Sequence, residues 1–230
     1  HMNISNALIR YHAPATDYVI KLKSLATGAV RANEATSIAF DVSAEDTLAG
    51  LSSSIQGAGN ITFNREFDQY QFNQLTIKSL TRLSDTSDLQ ASMTLNGDAD
   101  LSQGTANLQA SQIQLADLQA IIDLQISQMQ TTPSLKGTVN IQPFAVKPLL
   151  AKLQLPTIET RHPDALKRFE MTANIEATPA AVHLTNIKAK LDAMTINGSA
   201  SAALGTDSGA RFDLSLDTLT LSDYLPPDAE

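Results

Sequence analysis

Met194-Thr195-Ile196-Asn197-Gly198 opens the stretch that decides the fold, because the chain contains its pattern more than once. Small residues follow it, then a Gly/Ser/Asp turn at 205–209, then Phe212-x-Leu214-x-Leu216-x-x-Leu219-x-Leu221-x-x-Tyr224. Earlier stand Met93-Thr94-Leu95-Asn96-Gly97, a turn at Ser102-Gln103-Gly104, and Leu108-x-Ala110-x-x-Ile113-x-Leu115-x-x-Leu118. A weaker copy runs Gly59-Asn60-Ile61-Thr62-Phe63 and then Tyr70-x-Phe72-x-x-Leu75-x-Ile77-x-x-Leu80. Each copy reads as a strand, a turn and a second strand, and such self-similarity takes precedence over local signals.

Each second strand alternates apolar and polar residues, skips one residue, and resumes. Side chains of a strand alternate faces, so an extra residue turns every later side chain over unless a bulge absorbs it. The pairs at the skip are polar: Asn73-Gln74, Ser111-Gln112 and Asp217-Thr218. Lys23-Ser24, between Leu22 and Leu25, and Thr185-Asn186, between Leu184 and Ile187, fit the same template. The pattern predicts bulges that keep one face apolar.

Alternation places further strands at 4–11, 18–25, 38–42, 48–55, 135–141, 169–175 and 182–191, with a polar loop at 82–88. A strand is expected at 121–129, with an amphipathic helix over 116–126 as the alternative. At 146 the period changes. Val146, Leu149, Leu150 and Leu153 share one helical face opposite Lys147, Lys152 and Gln154, predicting a helix at about 146–155 that tolerates Pro148 in its first turn and stops before Pro156. Pro163-Asp164-Ala165-Leu166-Lys167 predicts a short helix at about 163–168. The fold class is therefore mainly β: a long antiparallel meander of repeated hairpins with one amphipathic and one short helix. Residues 1–2 read as a cloning scar and 3–230 as a single domain of hairpin units. The residues alone fit a sandwich, a barrel or an open curved sheet, and by themselves favour the sandwich.

Composition narrows the function. The 230 residues are 43% hydrophobic with mean hydropathy −0.09, as in a folded domain rather than a disordered one. A net charge of −8 disfavours nucleic acid and gives no polybasic attraction to anionic headgroups. No cysteine is present, which excludes disulfides, thiolate metal sites and a cysteine nucleophile. Aromatic residues make up 5% and tryptophan is absent, a poor basis for a sugar platform. No apolar run is long enough to span a bilayer, and no signal peptide is visible, so an anchoring segment is expected to lie outside this sequence.

Catalytic chemistry is hard to find. His12, His162 and His183 lack ligand spacing, and His1 belongs to the scar. The carboxylates fall in turns (Asp85, Asp88, Asp207) or at outward positions (Asp98, Asp100, Asp213), and none has the spacing of a calcium loop. Glu159, Asp164 and Glu170 are the only imaginable acid/base group, and nothing separates them from solvated charges. There is no nucleophile elbow and no phosphate loop. The expectation is no enzyme, no catalytic residue, no metal and no cofactor.

Phe144-x-Val146-x-x-Leu149-Leu150, Pro163-Asp164-Ala165-Leu166, Leu191-Asp192-x-x-x-Ile196-x-Gly198 and Asp223-Tyr224-Leu225-Pro226 together resemble the AsmA family. The likeness is most specific through 141–227 and extends to 18–28 and 48–80. The sequence departs from the family at His162, where Asp is usual, and at Ala193-Met194, where Asp-Thr is usual. The resemblance implies a periplasmic module of a large Gram-negative envelope protein, tethered to the inner membrane by an N-terminal helix not in this sequence. It also implies a role in outer-membrane biogenesis, with phospholipid or another acyl lipid bound or conducted along an apolar β-groove. Envelope proteins are further partners, and nucleic acid is not. Candidate lipid-facing residues are Leu149, Leu150, Leu153, Phe169, Met171, Ile175, Leu184, Met194 and Ile196. Two other classes stand beside this one. The first is a structural scaffold with a closed β core and no lipid, and the second is a carbohydrate-active or adhesive sandwich.

Overall fold

The computed structural model describes all residues except 14–15, 47–49, 85–86, 205–208, 218–220 and 227–230, and the side chains of 13, 16, 83, 84, 87 and 221 as well. The chain divides into two compact units, His1–Ala116 and Asp117–Glu230. The first holds β1 (Met2–Ala13), β2 (Thr16–Thr27), β3 (Thr36–Asp46), β4 (Leu51–Phe63), β5 (Gln69–Ser84), β6 (Ser87–Asp100) and β7 (Thr105–Leu115). The second holds β8 (Leu118–Ser127), β9 (Ser134–Phe144), α1 (Val146–Lys152), β10 (Phe169–Thr178), β11 (Ala181–Leu191), β12 (Met194–Ala203), β13 (Gly209–Leu216) and α2 (Leu221–Tyr224). Strand order in the sheet is chain order, β1 through β13, antiparallel and not closed. The mainly β antiparallel meander is thus as expected.

Four of the five skips sit at register shifts. Between β2 and β3 the shift lies at Lys23, whose Nζ is 3.3 Å from Asp41 across the bulge. Asn73-Gln74 oppose Asn96 alone, and the Asn96 side-chain oxygen accepts the Gln74 N–H at 2.9 Å. Ser111 ends the β7 bulge and is fully buried. Its Oγ donates to the Asn96 carbonyl and accepts the Asn96 N–H, both at 3.1 Å, so it replaces the ladder bonds the bulge removed. Thr185-Asn186 oppose Ser199 alone. The fifth skip, Asp217-Thr218, lies past the end of β13, and Thr218 is outside the described residues. A bulge at Gln142-Pro143 in β9 had no signal in the alternation.

Three of the bulges hold a residue in the left-handed region: Gln74 at φ 49°, Ala110 at 43°, Asn186 at 51°. Asn186 is exposed, so its substitution tests backbone cost with little packing change. Asn186→Val should destabilise by about 1–2 kcal/mol in urea melts, because a β-branched residue is penalised there. Asn186→Gly should be neutral or better.

Other expectations need correcting. Residues 48–55 and 59–63 were expected as separate strands, but β4 runs unbroken from Leu51 to Phe63, because Gly57 lies beneath the Phe40 ring rather than in a turn. Leu48 itself is outside the described residues. Of the polar loop expected at 82–88, 82–84 and 87–88 instead belong to the paired strands β5 and β6, with Arg82 opposite Asp88 and Ser84 opposite Ser87, and 85–86 are outside the described residues. Residues 118–127 are a strand, not the alternative helix. The left-handed Ala116 (φ 50°) turns the chain, and alternating Ala120, Ile122, Leu124 and Ile126 pair with β9.

The helix expected at 146–155 stops at Lys152. Gln154 is left-handed, the Leu155 N–H reaches the Leu150 carbonyl, and the Gln154 N–H reaches that of Ala151, which is a Schellman termination. The short helix expected at 163–168 does not form. Leu166 is left-handed (φ 66°), and the N–H groups of Leu166, Lys167 and Arg168 point to the Asp192 carboxylate instead of to helical carbonyls. The second helix is α2, which alternation did not reveal.

Candidate functional site

Register assigns every strand of the second unit a polar and an apolar face. Directly opposed residues of neighbouring strands share a face. One row runs Ile141, Met171, Ala189, Ile196 and Leu216; the next runs Val139, Ala173, then Ile187, Gly198 and Leu214; a third runs Ile175, Leu184, Ala200 and Phe212. β8 adds Ala120, Ile122, Leu124 and Ile126. The opposite face carries Lys136, Asn140, Glu170, Glu176, Lys188, Lys190, Arg211 and Asp213, with Lys136 bound to Glu176 at 2.8 Å. Because the Thr185-Asn186 bulge absorbs one residue, Leu184 and Ile187 stand on the same face despite their odd spacing.

Six of the nine candidates come together on this face. Ala173, Ile187 and Ala189 form a buried cluster, with Phe169, Met171, Leu184 and Ile196 packed against it. Met194 is buried opposite Leu191, and Ile175 is half-buried opposite Leu184. Phe144 and Phe169 meet edge to face, ring centres 5.7 Å apart. Of the remaining three, Leu149 and Leu150 lie on α1 and Leu153 caps its C-terminus; Leu149 is buried, and Leu150 and Leu153 are half-buried.

The first unit repeats the arrangement. Rows such as Leu22–Val42–Ile55 and Leu25–Phe40–Gly57–Ile77–Met93–Ile113 build one apolar face across β2 to β7. Its polar face holds a recess of about 420 Å³ lined by Ser54, Gln56, Lys78, Leu80, Gln90 and Gln114. That recess offers amides, hydroxyls and one cation, without a carboxylate to work as acid or base.

One end of the second unit is tied by Asp192. This left-handed turn residue (φ 54°) accepts the N–H of Leu166 at 2.8 Å, of Lys167 at 2.9 Å and of Arg168 at 3.0 Å, and the Tyr224 hydroxyl at 3.0 Å. The His162 N–H reaches the Asp223 carbonyl, the Arg161 N–H that of Leu225, and the Val146 N–H that of Leu166. The segment between α1 and β10, α2 and the β11–β12 turn are thereby joined. Burial works to raise the Asp192 pKa, but the bonds from Leu166, Arg168, Tyr224 and Lys167 outweigh it and hold it below the ordinary carboxylate value. Burial and the Asp192 charge push Tyr224 up. The sequence reading missed this carboxylate, although Leu191-Asp192 was visible at a strand end, because its partners lie far along the chain.

Of the three carboxylates Glu159, Asp164 and Glu170, Asp164 is bonded to Lys167, and Glu170 lies between Arg168 and Lys190. Among the described residues no group of three or more His, Asp or Glu side chains could hold a metal. Among the described residues no helix is long and apolar enough to cross a membrane. The sequence matches no protein-family model and no curated protein, and no solved structure matches the chain.

Proposed function

We propose that this chain binds or conducts phospholipid along its apolar face, as a non-enzymatic periplasmic module of an AsmA-like envelope protein engaged in outer-membrane biogenesis. The observation that carries this reading is the continuous apolar face of β8 to β13, over which the second unit itself lays no further strand among the described residues. A methylene moved out of water is worth about 0.8 kcal/mol, so a chain of ~16 carbons recovers on the order of 10 kcal/mol in such a trough. Small residues supply the room: Ala173, Ala189 and Gly198 stand among Ile and Leu. The periplasmic location, the tether to the inner membrane and the envelope partners rest on the likeness of 141–227 to the AsmA family.

The test is native mass spectrometry with lipid extraction on protein purified without detergent. Co-purified phospholipid is the expected result, and its absence from every such preparation would remove the reading. Leu150→Asp refines it. Leu150 is half-buried, so on this reading the fold should survive the change while lipid occupancy falls. Unfolding instead would make Leu150 an ordinary core residue, since a buried unpaired charge is not tolerated.

A further inference from the structure

We propose that the outer edge of β13 is a self-pairing surface, through which two copies of the chain join antiparallel with Phe212 opposite Phe212. All eight residues of β13 are exposed, Phe212 by 70%, and among the described residues β13 pairs only with β12. An apolar edge of this length presents a row of unpaired N–H and C=O groups, which other strands readily occupy. Among the described residues no strand pairs along it. After β13, α2 is held by Tyr224 on Asp192 and by the bonds of Asp223 and Leu225 to His162 and Arg161.

A second copy fits because the strand is complementary to itself. Keeping both apolar faces on one side requires residues of like parity to oppose one another. Centred on Phe212, such a register sets Arg211 against Asp213 twice on the polar face, and Ala210 against Leu214 twice on the apolar face. Shifting the centre to Asp213 or Arg211 opposes like charges, which is unfavourable between strands. Within the chain these two charges face only Ser201 and Ser199 on β12, so their complements are still to be supplied. The pairing is isologous and closes at two copies. Its axis stands across the sheet, so the apolar face of one second unit continues into that of the other. The inference does not depend on whether lipid binds there.

The test is sedentation of the full chain by analytical ultracentrifugation across micromolar concentrations, with circular dichroism and melting temperature as checks on folding. The wild type should reach a dimer. Arg211→Asp and Asp213→Arg should each weaken it about tenfold or more, because two opposed pairs become like-charged. The double reversal R211D/D213R should restore it. A wild type that stays monomeric, single variants that dimerise unchanged, or a double variant that fails to recover would overturn the proposal. A second measurement serves where a charge variant misfolds. The chain has no cysteine, and opposed Cα atoms of an antiparallel pair stand about 4.5–5.5 Å apart, within disulfide reach. Phe212→Cys should therefore cross-link to itself on mild oxidation, and Leu216→Cys, at the far end of the register, should not. The reverse outcome, or equal cross-linking of both, would refute the register.

Discussion

Gly97→Ala and Gly198→Ala should each destabilise the protein by about 3 kcal/mol or more, a large share of the roughly 5–15 kcal/mol that holds a domain folded. Both glycines stand at φ near +145°, at 145° and 146°, where an L side chain is strained. A Cβ at Gly97 would also lie 1.9 Å from the Asn107 carbonyl oxygen, and one at Gly198 2.0 Å from that of Asp213. The obstruction is backbone of the neighbouring strand, so it cannot swing aside as a side-chain tip would, and overpacking of this kind costs about 1–3 kcal/mol beyond the strain. Gly209→Ala is the control: nothing lies within 4 Å of its Cβ, and the change should be near neutral. Urea melts with an unchanged m-value read all three. A loss below about 1 kcal/mol at Gly97 would mean that β6 and β7 do not approach as closely as described.

Asp192→Ala should cost about 2–3 kcal/mol, because three N–H groups and the Tyr224 hydroxyl lose a charged acceptor at once. Asp192→Asn should cost less, since one side-chain oxygen remains. The pH dependence follows from the lowered pKa of Asp192. A carboxylate bonded in the folded state contributes stability that is fully present above its unfolded value, near 3.9. That contribution is lost as the pH falls further through the lower folded value. The stability difference between wild type and Asp192→Asn should accordingly be constant at neutral pH and shrink only below about pH 4. Comparing the two proteins isolates Asp192 from the exposed Asp100, Asp164 and Glu176, whose bonds also lower their pKa values. A difference that persisted undiminished in acid would show that the carboxylate's charge is not what ties the segment down.

Local chain chemistry determined a good deal by itself. Alternation in strands is a property of successive residues, so Phe169-x-Met171-x-Ala173-x-Ile175 announces its apolar face without knowledge of its neighbours. A skipped residue has one inexpensive remedy, which is why Lys23, Asn73-Gln74, Ser111 and Thr185-Asn186 marked bulges before any partner strand was known. The glycines of the repeated Asn-Gly at 96–97 and 197–198, by contrast, answer to the adjacent strand, whose backbone carbonyl leaves no room for a Cβ. What the residues could not decide was what meets that face, for an apolar row reads alike whether a second sheet or a groove lies above it. The turn at 163–168 was equally illegible: Pro163 and Asp164 favour a helix locally, and the carboxylate that overrides them arrives from Asp192, twenty-four or more residues along the chain. The tertiary structure alone decided that, among the described residues, β13 pairs only with β12, because that depends on where the following segment and α2 dock rather than on any property of the strand.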